Sequence, residues 1–149
     1  MRLAILAFLF LAARTVLAQS PADSVEAEKR MYLEAIAKQI AGSENKPAGE
    51  VFKNIRMMKD NTARRLLNIM NFGFSRSLGV GCTHCHVPND WASDEKPAKN
   101  AAREMAVMVE KINKELLPGI KGLRAERPTV NCTTCHRGQV QPALSLPPR

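Results

Sequence analysis

The sequence of 149 residues predicts a mainly α-helical domain with long connections, on three observations. Apolar residues recur at helix-like intervals in three separate segments, as the buried stripe of a helix requires. No stretch of any length alternates apolar with polar residues, so no sheet is expected. Gly42, Pro97, Pro118 and Gly119 stand at segment ends, where chain-stopping residues belong.

MRLAILAFLFLAARTVLAQS, at the start, stands apart from that domain. Arg2, the apolar run from Leu3 to Ala13 and the small-residue ending Val16-Leu17-Ala18 read as a secretory signal cut after Ala18. The run is too short to span a bilayer, and Arg14 interrupts it. Residues 1 to 18 are thus expected to be a signal peptide and residues 19 to 149 one exported, periplasmic domain. That domain is membrane-associated only if the signal is retained.

The first helix is expected from Ala22 to Ala41, with Val25, Leu33, Ile36 and Ile40 on its apolar face and Gly42 as its stop. SENKPAG, residues 43 to 49, is a loop. A second segment follows with Val51, Phe52 and Ile55, and a helix start is expected at Asp60 or Asn61, whose short polar side chains suit an N-cap. TARRLLNIMNF then carries Leu66, Leu67 and Met70. After GVGCTHCH and the loop VPNDWASDEKP, Pro97 suits the first turn of another helix, with Met105, Met108, Ile112 and Leu116 at helical spacing. Pro118 and Gly119 end it, a loop leads to NCTTCHRG, and the tail QVQPALSLPPR is proline-rich and extended.

Net charge is +8 over the whole chain, and removal of Arg2 and Arg14 with the signal brings it to +6. Export and the scattering of the basic residues argue against nucleic acid as the partner. Aromatic residues make up only 5%, with Trp91 the single tryptophan and Tyr32 the single tyrosine, so the core is short of large side chains. Something other than protein is expected to help fill it.

Four cysteines form two copies of C-x-x-C-H: Cys82, Cys85 and His86, then Cys132, Cys135 and His136. In a helical turn positions i, i+3 and i+4 share a face, so two thiols can add to the two vinyl groups of one porphyrin while the adjacent imidazole binds its iron. Zinc bound by both pairs would leave each histidine unexplained, across an interval longer than zinc ribbons use. A thioredoxin-type disulfide calls for alternating strands and helices around the motif. The fold class therefore sharpens to helices packed around two covalently attached haems, and each copy follows a methionine-bearing helix. Such a protein would be loosely ordered without its cofactors.

The chain has three histidines. With His86 and His136 committed and His84 read as a surface residue, two bis-histidine haems are excluded. Methionine is the alternative sixth ligand and raises the reduction potential. Candidates are Met31, Met57, Met58, Met70, Met105 and Met108, and spacing alone does not choose between Met105 and Met108.

VFKNIR, SLGVGCTHCHVPNDWASDEKP, AAREMAVMVEKIN and NCTTCHRGQVQP, in this order between about Val51 and Pro142, resemble the cytochrome subunit of photosynthetic reaction centres and its small non-photosynthetic relatives. The resemblance implies a methionine ligand on the helix ahead of each motif: Met70 for the first haem and Met105, which follows the Ala-Arg pair, for the second. The full subunit resembles two such halves and has one haem that takes a histidine from the helix after the second methionine. Here that helix ends in KELLPG, so the chain looks like a two-haem, half-length relative.

The expected function is single-electron transfer between redox protein partners or with a membrane electron-transfer complex, with no small-molecule substrate and no enzymatic activity. Arg76 and Arg137 are candidate partners of haem propionates. A peroxidase-like haem enzyme or gas sensor would need an open iron and a nearby acid-base group, for which His84 is the one spare histidine. An interaction subunit of a respiratory complex, docking through its basic surface and tail, is the third reading.

Overall fold

A computed structural model describes residues 20 to 145, and the expected signal peptide lies outside the described residues. Helices carry the fold, as expected, and β-structure among the described residues is limited to the isolated bridges Pro47–Thr62 and Val87–Asp90.

Helix α1, Pro21–Gln39, begins at a capping box. The Ser20 hydroxyl accepts from Asp23 N while the Asp23 carboxylate accepts from Ser20 N, so two backbone donors that the first turn leaves over are satisfied. Ile40 caps the other end, and Gly42 turns the chain with φ +79°. The short α2, Ala48–Val51, then lies against the start of α3, Ala63–Asn68. Ala48 N donates to Asn61 O and Ala63 N to Lys46 O, at 2.7 and 2.9 Å.

The N-cap of α3 is Thr62, whose hydroxyl accepts from Arg65 N, and not the expected Asp60 or Asn61. Both backbone groups of Asn61 are committed to the preceding loop, with N donating to Met58 O and the carbonyl accepting from Ala48 N. The helix can therefore start only one residue later. Ile40, Ala48, Ala63 and Leu66 are the buried apolar residues among those described.

Residues 63 to 78 form one helical rod in three parts: α3, a π-helical segment Ile69–Ser75, and α4, Arg76–Leu78. The π segment widens the helix by one residue per turn, a geometry that clusters at functional sites. Gly79 stops the rod in the left-handed region, φ +68°. Helix α5, Pro97–Lys111, has Pro97 in its first turn as expected. It too runs into a π segment, Ile112–Leu116, and ends in a 3₁₀ turn, Leu117–Gly119. Helix α6, Cys132–His136, is the second C-x-x-C-H. It packs on α4 and on the first π segment, so both motifs adjoin the same rod.

Candidate functional site

The first motif folds as a 3₁₀ turn, Cys82–His84, in which Cys85 N and His86 N both donate back to Cys82 O, at 3.3 and 3.1 Å. The turn brings Cys82, Cys85 and His86 to the wall of one open cavity. Met70, on the π segment, lines the same cavity, as does Met57. His84 points elsewhere and is exposed.

Two charged side chains hold the turn by one residue. Glu28 of α1 accepts from Thr83 N at 2.9 Å, and the Lys96 ammonium donates to Thr83 O. A Cβ on Gly81 would displace the Glu28 carboxylate from its place against the turn. Burial pushes the Cys82 thiol up, with the Glu28 charge adding to it, and burial also raises Cys85. In the second motif burial raises Cys132. These raised thiols are unlike those of reactive cysteines, and all four cysteines are free of disulfides. Among the described residues no three His, Cys, Asp or Glu side chains converge as a metal cluster.

Each motif histidine has one ring nitrogen fixed by a backbone carbonyl. His86 Nδ1 lies 3.1 Å from Trp91 O, and His136 Nδ1 lies 3.0 Å from Gln139 O. A carbonyl only accepts, so each Nδ1 carries the proton and each Nε2 keeps its lone pair for a metal. Burial lowers the His86 pKa, and the charges of Lys99, Arg103 and Lys96 lower it further against the opposing pull of the Trp91 carbonyl. The imidazole is therefore neutral, the form that ligates. Trp91 stands edge-on to the His86 ring at 5.7 Å and to Tyr32 of α1 at 5.0 Å.

Around the cavity stand Lys29, which pairs with Glu26 at 2.7 Å, and Lys53, Arg56, Lys99 and Arg103, and among the described residues no carboxylate lines it. Behind them Asp94 collects three cations: Arg103 at 2.8 Å, Lys99 at 3.4 Å and Arg56, with Asn54 donating as well. Burial opposes ionisation of Asp94, but the hydrogen bonds from Arg103 and Asn54 and the charges of Arg103 and Arg56 outweigh it and hold the carboxyl low. One carboxylate against this many cations leaves a positive rim that fits an anionic cofactor edge.

The second motif is capped by Asn131, whose side chain accepts from Thr134 N while the Thr134 hydroxyl accepts from Asn131 N. It is tied to the rod. The Ser77 and Thr133 hydroxyls are 2.6 Å apart, and Gly138 N donates to Ser77 O at 2.8 Å. A Cβ on Gly79 would strike Gly138 O, so the two motif regions approach as closely as backbone allows. Upstream, Asn113 of the second π segment both donates to Val130 O and accepts from Val130 N.

Met105 and Met108 are 48% and 45% exposed on α5, and α6 packs mainly on the rod. The structure thus brings Met70, Cys82, Cys85 and His86 together around one cavity, whereas Met105 stands off from the second motif. Arg76 and Arg137 are exposed and do not line the cavity, whose cations are Lys29, Lys53, Arg56, Lys99 and Arg103. Glu28, Trp91, Asp94 and Lys99 escaped the sequence reading. Their signal was faint: a lone tryptophan after the motif, and Lys99 and Arg103 one helical turn apart downstream of Asp94.

An apolar cavity lined by two protonated thiols, a neutral imidazole with a free nitrogen and a thioether fits a covalently attached haem. A buried acceptor without a partner, Asn71 Oδ1, lies next to Met70 on that cavity's wall. Similar proteins point the same way. Residues 13–145 match the family model described as photosynthetic reaction centre cytochrome C subunit. The chain is 35% identical over 83 residues to cytochrome c-554 of Chloroflexus aurantiacus, covering 56% of this chain and 20% of that protein. It is 35% identical over 103 residues to the photosynthetic reaction center cytochrome c subunit of Thermochromatium tepidum, covering 68% of this chain and 24% of that protein. The matches thus span about a fifth to a quarter of those relatives' length. With the family model extending over most of the sequence, the chain belongs to the photosynthetic reaction centre cytochrome c subunit family.

Proposed function

We propose that the protein is an exported dihaem c-type cytochrome that carries single electrons between redox protein partners or to a membrane electron-transfer complex. A covalently bound haem supplies reversible one-electron chemistry at its iron, and the chain sets the potential, the access and the partner. Cys82 and Cys85 would hold the first haem and Cys132 and Cys135 the second, with His86 and His136 offering Nε2 to the irons. The observation that carries the reading is the matched pair of histidines, each with Nδ1 bound to a backbone carbonyl and Nε2 left free.

Met70 would offer its thioether to the first haem's iron and Met105 to the second's. The cavity shared with His86 supports Met70. For Met105, the continuation of its helix is tied to the second motif's approach, where Asn113 is bonded to both backbone groups of Val130. The exposed apolar side chains of α5 gain cover from the second cofactor. No helix among the described residues is long and apolar enough to cross a membrane.

Optical spectra of the purified protein, oxidised and reduced, with and without carbon monoxide, test this. Two low-spin c-type haems per chain and no response to the gas are expected. Met70→Ala and Met105→Ala should each open one iron to carbon monoxide. A gas response in the unaltered protein would move a haem enzyme or sensor ahead, and a methionine variant that stays closed would remove that ligand assignment.

A further inference from the structure

The two histidines differ in what else touches their carbonyls. Trp91 O, which accepts the His86 Nδ1 proton, also accepts from the Lys99 ammonium at 3.0 Å. Lys99 is 8% exposed, and its ammonium is anchored further by Ser93 O at 2.6 Å. Its nearest carboxylate, Asp94, is shared with Arg56 and Arg103. The positive charge beside His86 is therefore only partly neutralised. Gln139 O, the acceptor for His136, is in an exposed turn, and no side-chain donor joins it.

We propose that Lys99 is a positioning residue that raises the reduction potential of the first haem above that of the second by sharing the Trp91 carbonyl with His86. This rests on the dihaem reading. Two effects act in the same direction. A cation fixed on the far side of the imidazole disfavours the extra positive charge of ferric iron, and little solvent screens it at this burial. Competition for the carbonyl oxygen also weakens the Nδ1 hydrogen bond, which makes His86 a poorer donor to ferric iron. An electron delivered by a one-electron redox protein then comes to rest on the first haem, reducing ferric to ferrous iron there as the donor is oxidised by one electron. The second, more open motif is the place of exchange.

The test is a potentiometric titration of the holoprotein. Lys99→Met should lower the first haem's midpoint by about 59 mV or more, equivalent to a tenfold change in its redox equilibrium, and leave the second where it is. Lys99→Arg, which keeps the charge, should restore most of the difference. Two bound haems with an unchanged first midpoint, or an equal fall in both, would overturn the role of Lys99 and leave the dihaem reading standing. A holoprotein with fewer than two haems would overturn both.

The unaltered protein gives a second test, needed if Lys99→Met does not fold. Trp91 is the single tryptophan, 5.7 Å from His86, so its one indole N–H resonance reports the oxidation state of the first haem. That resonance should shift at the higher of the two midpoints. A shift at the lower one overturns the proposal.

Discussion

Asp94 shows how one residue can matter at this site without touching a cofactor. It fixes Arg103, Lys99 and Arg56 around the cavity rim, and their hydrogen bonds and charges keep its carboxyl below its ordinary value. A depressed carboxyl stabilises the fold fully above its unfolded value of about 3.9, and that contribution is lost as pH falls through the lower folded value. Asp94→Asn should therefore flatten the acid side of the stability–pH curve of the holoprotein, followed by denaturant midpoints. A variant whose acid limb matches the parent would show that the rim cations are held by other means.

Gly79 belongs to the scale of elements, because it ends the rod and admits the second motif region. Its φ of +68° disfavours any side chain, at about 1–2 kcal/mol, and its absent Cβ leaves room for Gly138 O. Gly79→Ala should cost at least about 2 kcal/mol in unfolding of the holoprotein, more than the strain alone, since the Gly138–Ser77 hydrogen bond would be pushed apart. A loss of well under 1 kcal/mol would show that the two regions separate at little cost. The paired π segments are a related case. Sequence periodicity marks a helix but gives no sign of where it widens, because the same residues satisfy either hydrogen-bond pattern until neighbouring elements decide.

For the whole molecule, the protein core is thin. Its buried apolar residues are Ile40, Ala48, Ala63 and Leu66, two of them alanines, and among the described residues no large side chain is completely buried. Such a core offsets little of the conformational entropy of folding. Folding and cofactor attachment should therefore be coupled. Haem-free protein is expected to unfold over a broad range without a cooperative transition, by near-ultraviolet circular dichroism against temperature. A sharp, native-like melt would show that the polypeptide core suffices.

The sequence alone determined the helical class, the segments with their breakers, and the two C-x-x-C-H motifs with the chemistry they imply. Each is written in neighbouring residues, where spacing reports directly on which side chains share a face. Tertiary structure alone decided what surrounds the motifs: Glu28 of α1 on the Thr83 peptide, Lys99 and His86 on one carbonyl, and Ser77 and Gly79 against Thr133 and Gly138. Arg76 and Arg137, chosen for their nearness in sequence to the motifs, are exposed, while the cavity's cations come from α1, α5 and the loop after α2. The physical reason is that hydrogen bonds between distant segments depend on how the helices pack, and packing here is set by a few small residues that leave no periodic mark.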